Sequence, residues 1–354
     1  MNPSDLKYCP STLADGFNTY SPSALRNMFI GKKVSHVLDF DAPDINEEVA
    51  ERFRQNSKTL SISGAQFKQS LVLERNKLRL TEEGESGQYI LKPIPIRPPF
   101  GKAEELPANE HLTMQIAKQV FGMDTAHCAL IFFKNGEPAY ITKRFDYNDD
   151  GKKVAQEDFA SLSGMAKEKD SENYKNHGSY EDIARIMKTH MAAYAVEIEK
   201  YFERVVFNYL FSNGDAHLKN FSLSQTPSGD YVLSPAYDMI NTRIHIPSDS
   251  FFALSDGLFS SGYDTESFKV LGFYAYDDFY EFGIKIGMME SRARKILDKY
   301  RTESKDTKGL ISRSYLTDEV KALYKSHYDD RLRMLNNSYT KLIDLGQDAQ
   351  RKHK

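Results

Sequence analysis

Along this chain of 354 residues the spacing of apolar residues changes period once, and that change limits the possible folds more than any other feature. Through residues 58–145 the apolar side chains come in short runs bounded by turn formers. SLVLER (70–75) and KLRLTE (77–82) flank Asn76, and QYILKP (88–93) reads as a third strand. CALIFF (128–133) and AYITKRF (139–145) enclose KNGEP, whose Asn-Gly pair is a strong hairpin signal. One helical stretch, ANEHLTMQIAKQVFGM (108–123), interrupts them after a Pro- and Gly-rich loop at 94–107. After about residue 155 the spacing becomes helical, as in GSYEDIARIMKTH (178–190) and the bulky AVEIEKYFERVVFNYLFS (195–212). A short hairpin, NFSLSQ (220–225) and DYVLSP (230–235), breaks this half, which reads helical again from about 264. The pattern predicts an α+β fold with a strand-rich N-lobe and a helical C-lobe. The expected divisions are an N-terminal extension over 1–57, an N-lobe over 58–150 and a C-lobe over 151–354.

Composition narrows the function classes. A net charge of −3 gives no general attraction to nucleic acid or anionic membrane. Cys9 and Cys128 lie far apart with no CxxC motif, so a metal cluster is not expected and a reduced chain is. The first residues lack a basic region followed by an apolar one, and no apolar run is long enough to cross a bilayer. A cytoplasmic protein is the expectation.

The chemistry-bearing residues concentrate in two places. SNGDAHLKNFSL (212–223) falls where a buried helix ends and a hairpin begins, and sets Asp215 and Asn220 in D-x-x-x-x-N spacing. Phosphoryl-transfer loops use that spacing to present a carboxylate to a hydroxyl and an amide oxygen to a metal. Taken alone it equally describes a polar turn with two capping side chains. Asp238, in LSPAYDMIN, follows at the far end of the predicted hairpin, which would return it towards Asn220 for a shared metal. Lys92 ends the strand YILK, where it could grip phosphates or be an ordinary strand lysine. Glu110 is the natural partner to orient it, with Glu104 and Glu105 as competitors. The small and hydroxyl residues of TLSISGAQFKQSL (59–71) could bring backbone N–H groups to phosphates, or form a simple Ser-rich turn.

Taken in order, SISGAQFK (61–68), YILKP (89–93), KRFD (143–146), NGDAHLKNFSL (213–223) and SPAYDM (234–239) resemble the HipA-like serine/threonine kinase toxins. The resemblance covers roughly 58–300 and implies a bilobed, protein-kinase-like fold using ATP and Mg2+. Asp215 would be the catalytic base, and Asn220 and Asp238 the magnesium ligands. Lys92 would contact the ATP phosphates, beneath a covering loop of Ser63, Gly64, Ala65, Gln66, Phe67 and Lys68. Lys143, Arg144 and Phe145 fall at the adenine hinge, with backbone groups making the hydrogen bonds. His217 and Lys219 would line the phosphate side. In this family a loop serine is an autophosphorylation site, and Ser61 and Ser63 occupy that region. Two added negative charges there would repel nucleotide or eject the loop.

Only about 58 residues precede the loop, fewer than in longer HipA proteins, so the chain is more similar to the short HipT branch. The implied protein substrate is a translation protein such as an aminoacyl-tRNA synthetase. The implied partners are a HipB-like helix-turn-helix antitoxin and a small HipS-like protein, with DNA reached only through the antitoxin. A small-molecule or lipid kinase, or a non-catalytic antitoxin-binding module, are the alternative readings.

Overall fold

In the computed structural model, which describes residues 2–42, 67–95, 99–148, 151–164 and 173–341, both turn signals of the N-terminal half close hairpins. Strands β1 (Gln69–Glu74) and β2 (Lys77–Leu80) pair antiparallel with Leu73 opposite Leu78, and Arg75 takes the left-handed turn position. Strands β4 (Cys128–Phe132) and β5 (Pro138–Lys143) pair across a turn in which Gly136 has φ +87°, a conformation open to glycine at little cost. Strand β3 (Tyr89–Pro93) joins the two hairpins, giving an antiparallel sheet in the order β2-β1-β3-β5-β4.

The chain divides into two units. The first gathers Met1–Gln156, Pro235–Asp249 and Lys305–Lys325, and contains this sheet. Alternation sends Tyr89, Leu91, Ala129, Ile131, Ala139 and Ile141 into one core. The N-terminal segment fills that core with Cys9, Tyr20, Met28, Phe29 and Leu38. Its helix α1 (Pro22–Phe29) starts at Ser21, whose side chain accepts from the Ala24 N–H. The same segment covers the open edge of β4: Leu130 N–H donates to Pro10 O and Phe132 N–H to His36 O. Helix α2 (Leu106–Gln119) packs on β4 and β5.

The second unit gathers Glu157–Ser234, Ser250–Ser304 and Ser326–Lys354. Strands β6 (Gln156–Asp158), β7 (Ser222–Gln225) and β8 (Tyr231–Leu233) make a small sheet in that order. Helices α3 (Phe159–Leu162), α4 (Tyr180–His190) and α5 (Tyr194–Leu210) are followed by α6 (Glu266–Leu271), α7 (Tyr276–Lys285) and α8 (Glu290–Tyr300). Ser179 and Asp182 form a capping box at the start of α4, worth about 1 kcal/mol. The bulk of α5 is explained by burial, with Tyr201, Phe202, Val205, Val206 and Tyr209 all enclosed. This helix stops at Leu210 because Ser212 turns to φ +54°, two residues short of the expected end. Helix α9 (Lys305–Arg313) belongs to the first unit, and α10 (Asp318–Asn336) begins in the first and ends in the second. No helix among the described residues is long and apolar enough to cross a membrane.

Candidate active site

In the first unit the decisive group is Lys92. Pleating sends it away from the Leu91 core, so it stands opposite Tyr140 with its ammonium 5.3 Å from that ring's centre. Its Nζ lies 2.7 Å from Glu110 Oε1 and 2.5 Å from Asp238 Oδ1. A charge this buried is stable only with close partners, and here there are two. Burial alone would lower the Lys92 pKa, but the charge of Asp238, then that of Glu110, outweighs it and the net direction is up. One cation cannot fully serve two carboxylates. The Glu110 carboxyl, the more deeply buried, is pushed by burial up to about 7, against the pull of Lys92.

Glu110 reaches Lys92 because α2 begins at Leu106, which carries Glu110 into the helix's buried first turns. The competing candidates do something else. Glu105 precedes the helix and accepts from the Thr317 N–H, while Glu104 also lies in the turn before it.

Asp238 is brought to Lys92 by backbone pairing. Ala126 N–H donates to Ala236 O, and Ala236 N–H to Asp124 O, a short parallel bridge. Two residues on, Asp238 takes φ +58°, a left-handed conformation that costs energy outside glycine and marks sites whose surroundings enforce it. Lys68 Nζ adds a second cation, 3.7 Å from Asp238 Oδ2. Of the expected phosphate loop only Phe67 and Lys68 lie within the described residues; Ser61, Ser63, Gly64, Ala65 and Gln66 lie outside them.

At the hinge, Lys143 N–H donates to His127 O and Arg144 N–H to Gln88 O, so both are spent on sheet pairing. The Arg144 guanidinium holds both oxygens of Asp146, at 2.9 and 2.6 Å. Phe145 instead packs on Tyr237, ring centres 5.4 Å apart.

In the second unit, the loop after α5 is pinned from several sides. Asn213 Nδ2 donates to Asn208 Oδ1, and Asn213 Oδ1 accepts from the Asp215 N–H. Tyr180 Oη donates to Ala216 O, and Asn220 N–H to His217 O. Asn220 Nδ2 donates to Asp215 O at 2.8 Å, which fixes the amide's orientation and leaves Oδ1 as its acceptor end. Asp215, His217 and Asn220 are all buried, and His217 Nε2 is 3.9 Å from Asp215 Oδ1. Lys219 is exposed, with its ammonium over the Tyr174 ring.

The structure therefore gathers Lys92, Glu110, Asp238 and Lys68 in one unit, and Asp215, His217 and Asn220 in the other. Asn208, Asn213, Tyr140 and Tyr237 are supporting residues that spacing alone does not single out. Among the described residues no three His, Cys, Asp or Glu side chains form a metal-type cluster. Each taken by itself, the Asp238 carboxylate and the Asn220 amide oxygen are hard-oxygen donors of the kind magnesium takes, and the Asp238 carboxylate already draws two ammonium groups.

Comparison with known proteins bears on this arrangement. A model of the HipA-like C-terminal domain matches residues 60–307. A Haemophilus influenzae protein named "Putative kinase" is 28% identical over 298 residues, covering 80% of this chain and 83% of its own. The serine/threonine-protein kinase toxin HipA of Shewanella oneidensis is 26% identical over 200 residues, covering 52% of this chain and 44% of its own. A solved HipA structure from that organism, in complex with HipB and operator DNA, matches with a TM-score of 0.57. It is 21% identical and covers 83% of this chain and 72% of its own, so it speaks to the fold, which is kinase-like.

Proposed function

Since this chain belongs to the HipA-like C-terminal domain family, we propose that it is an ATP-dependent serine/threonine protein kinase. The observation that carries the reading is the buried Lys92, held by Glu110 and Asp238. A buried charge with specific partners is a candidate functional group, and phosphate is the group a strand lysine of this kind serves.

In this reading Lys92 neutralises charge on the ATP phosphates, and Glu110 holds its ammonium in place. Asn220 and Asp238 would hold magnesium, which when bound supplies further neutralisation of the triphosphate. The hydroxyl of a substrate Ser or Thr attacks the γ-phosphorus and gives its proton to Asp215. The new O–P bond forms as the bond to the β-phosphate oxygen breaks, and ADP leaves. His217 sits beside Asp215 and would steady it, and Lys219 would meet phosphate or substrate from the exposed side. Because the Lys143 and Arg144 N–H groups are committed, a backbone donor to adenine falls to Phe145 or beyond, with the Phe145–Tyr237 pair as its apolar floor.

The finer parts of the proposal rest on the family. The substrate would be a translation protein such as an aminoacyl-tRNA synthetase. The S. oneidensis HipA is described with HipB and operator DNA, and a HipB-like antitoxin is the partner proposed here, with a small HipS-like protein as a second. Ser61 or Ser63 would be the autophosphorylation site. Incubation with labelled ATP and magnesium tests the core of this: wild type should label itself or a protein in a bacterial lysate. Absence of labelling on both, with a folded protein, would favour a non-catalytic antitoxin-binding module.

A further inference from the structure

Next to Glu110 on helix α2 is a side chain to which the proposed reaction assigns no part. Asn109 is fully buried and its amide is used at both ends. Its Oδ1 accepts from the Asn241 N–H at 3.1 Å, while its Nδ2 donates to the Asn241 carbonyl at 2.9 Å. One side chain thus reads both backbone groups of a single residue, as a neighbouring strand would. The second N–H of the amide donates to His245 Nε2, also at 2.9 Å.

That bond settles the rest of the chain of contacts. With Nε2 accepting, the His245 proton sits on Nδ1, which donates to Gly101 O at 3.1 Å. Gly101 N–H returns a bond to His245 O. Burial lowers the His245 pKa to about 4, so at ordinary pH the ring is neutral and carries the single proton this arrangement needs. The opposite flip of the Asn109 amide would set its oxygen against the Asn241 carbonyl and its nitrogen against the Asn241 N–H, so the orientation is determined.

Asn241 is three residues beyond Asp238, in the segment where Asp238 holds its left-handed φ. Two successive residues of α2 therefore hold two points of one short segment: Glu110 through the shared Lys92, and Asn109 directly at the backbone. We propose that Asn109 is a positioning residue that locks the Asp238 segment onto α2, and so sets where the Asp238 carboxylate meets Lys92 and a metal–nucleotide complex. The proposal rests on the kinase reading above and adds to it the device that keeps helix and carboxylate in register.

The test has two readouts. Hydrogen exchange of the 239–245 peptide in Asn109→Ala and Asn109→Asp should rise well above wild type, because the Asn241 N–H loses its acceptor in the first and its carbonyl faces a carboxylate in the second. ATP binding should weaken about tenfold or more in magnesium, the usual loss when a residue that orients a metal ligand is removed, and stay unchanged in EDTA. Thr113→Val serves as the control. It removes a hydroxyl bonded to the Asn109 backbone carbonyl, to Tyr324 and, at 3.5 Å, to Asn109 Oδ1, so it loosens the same helix while leaving both bonds to Asn241 in place, and should leave both readouts near wild type. Unchanged exchange at 239–245 overturns the proposal, as does equal weakening with and without magnesium, or equal loss in Thr113→Val. A wild type that shows no magnesium-dependent ATP binding overturns the kinase reading and this proposal with it, whereas the other outcomes leave that reading standing.

Discussion

Lys92 Nζ lies 2.5 Å from Asp238 Oδ1 although the two residues are 146 positions apart, and the same ammonium is 2.7 Å from Glu110. The long separation means that this contact exists only once the whole first unit is assembled. It also ties the stability of that unit to the charge of the site.

Removing the cation should therefore cost stability as well as function. In Lys92→Met, two nearby carboxylates lose their common partner, and breaking such a buried pair costs about 3–5 kcal/mol. Part of that cost should return in Lys92→Met/Glu110→Gln, which removes the more deeply buried of the two carboxylates, Asp238 keeping Lys68. Urea unfolding followed by circular dichroism measures both, and a double variant no more stable than the single one would contradict the account.

Glu110 gives the first unit a pH dependence of unusual sign for a carboxylate. Its folded pKa, about 7, exceeds the 4.5 of an ordinary Glu, so between those values the folded protein binds more protons than the unfolded one. The contribution is therefore stabilising at the acid end of that window and is lost as pH rises through it. Lys92 adds no slope there, since its own shift is upward from 10.5. Wild type minus Glu110→Gln, measured by thermal unfolding at about pH 8 and about pH 5.5, on either side of the folded value of about 7, should show wild type gaining relative stability at the lower pH. A difference that is flat across the window would contradict the burial of an ionisable group here.

Some of the site was legible and some was not, for identifiable reasons. Asp215 and Asn220 announced themselves because a five-residue offset on one loop is a local property, and the loop's hydrogen bonds are local too. Choosing Glu110 over Glu104 and Glu105 required the helix start, which composition leaves uncertain by a few residues and the structure puts at Leu106. The strands and main helices were readable from periodicity, with most ends shifted by one or two residues, as where Ser212 stops α5, and the C-terminal end of α2 by four, at Gln119 instead of 123. The bond from Asn109 to Asn241 spans 132 positions and joins side chain to backbone, so no pattern in a single sequence marks it. Committed N–H groups at Lys143 and Arg144 are likewise a consequence of strand pairing, not of residue type.

The loop serines lead to a regulatory prediction. Ser61→Asp/Ser63→Asp should weaken ATP binding by roughly tenfold or more through repulsion of the triphosphate, read by calorimetry in magnesium. Ser61→Ala/Ser63→Ala should bind ATP as wild type does and should abolish self-labelling. Labelling that persists in the alanine pair would move the modified residue elsewhere.

Asp215 separates chemistry from binding. Asp215→Asn keeps the loop's backbone bonds, because Asn220 is anchored on the residue 215 carbonyl and not its side chain. It should bind ATP with near wild-type affinity yet transfer phosphate about a hundredfold or more slowly, the usual loss for a missing general base. Weakened ATP binding of similar size would mean a structural part instead.

The most direct test of the central claim is a phosphoproteome comparison of bacterial cells expressing wild type or Asp215→Asn at matched levels. The account predicts new phosphoserine or phosphothreonine sites, on this chain and on at least one other protein, that appear with wild type and are absent with Asp215→Asn. Identical phosphoproteomes from the two, with both proteins folded and abundant, would contradict it.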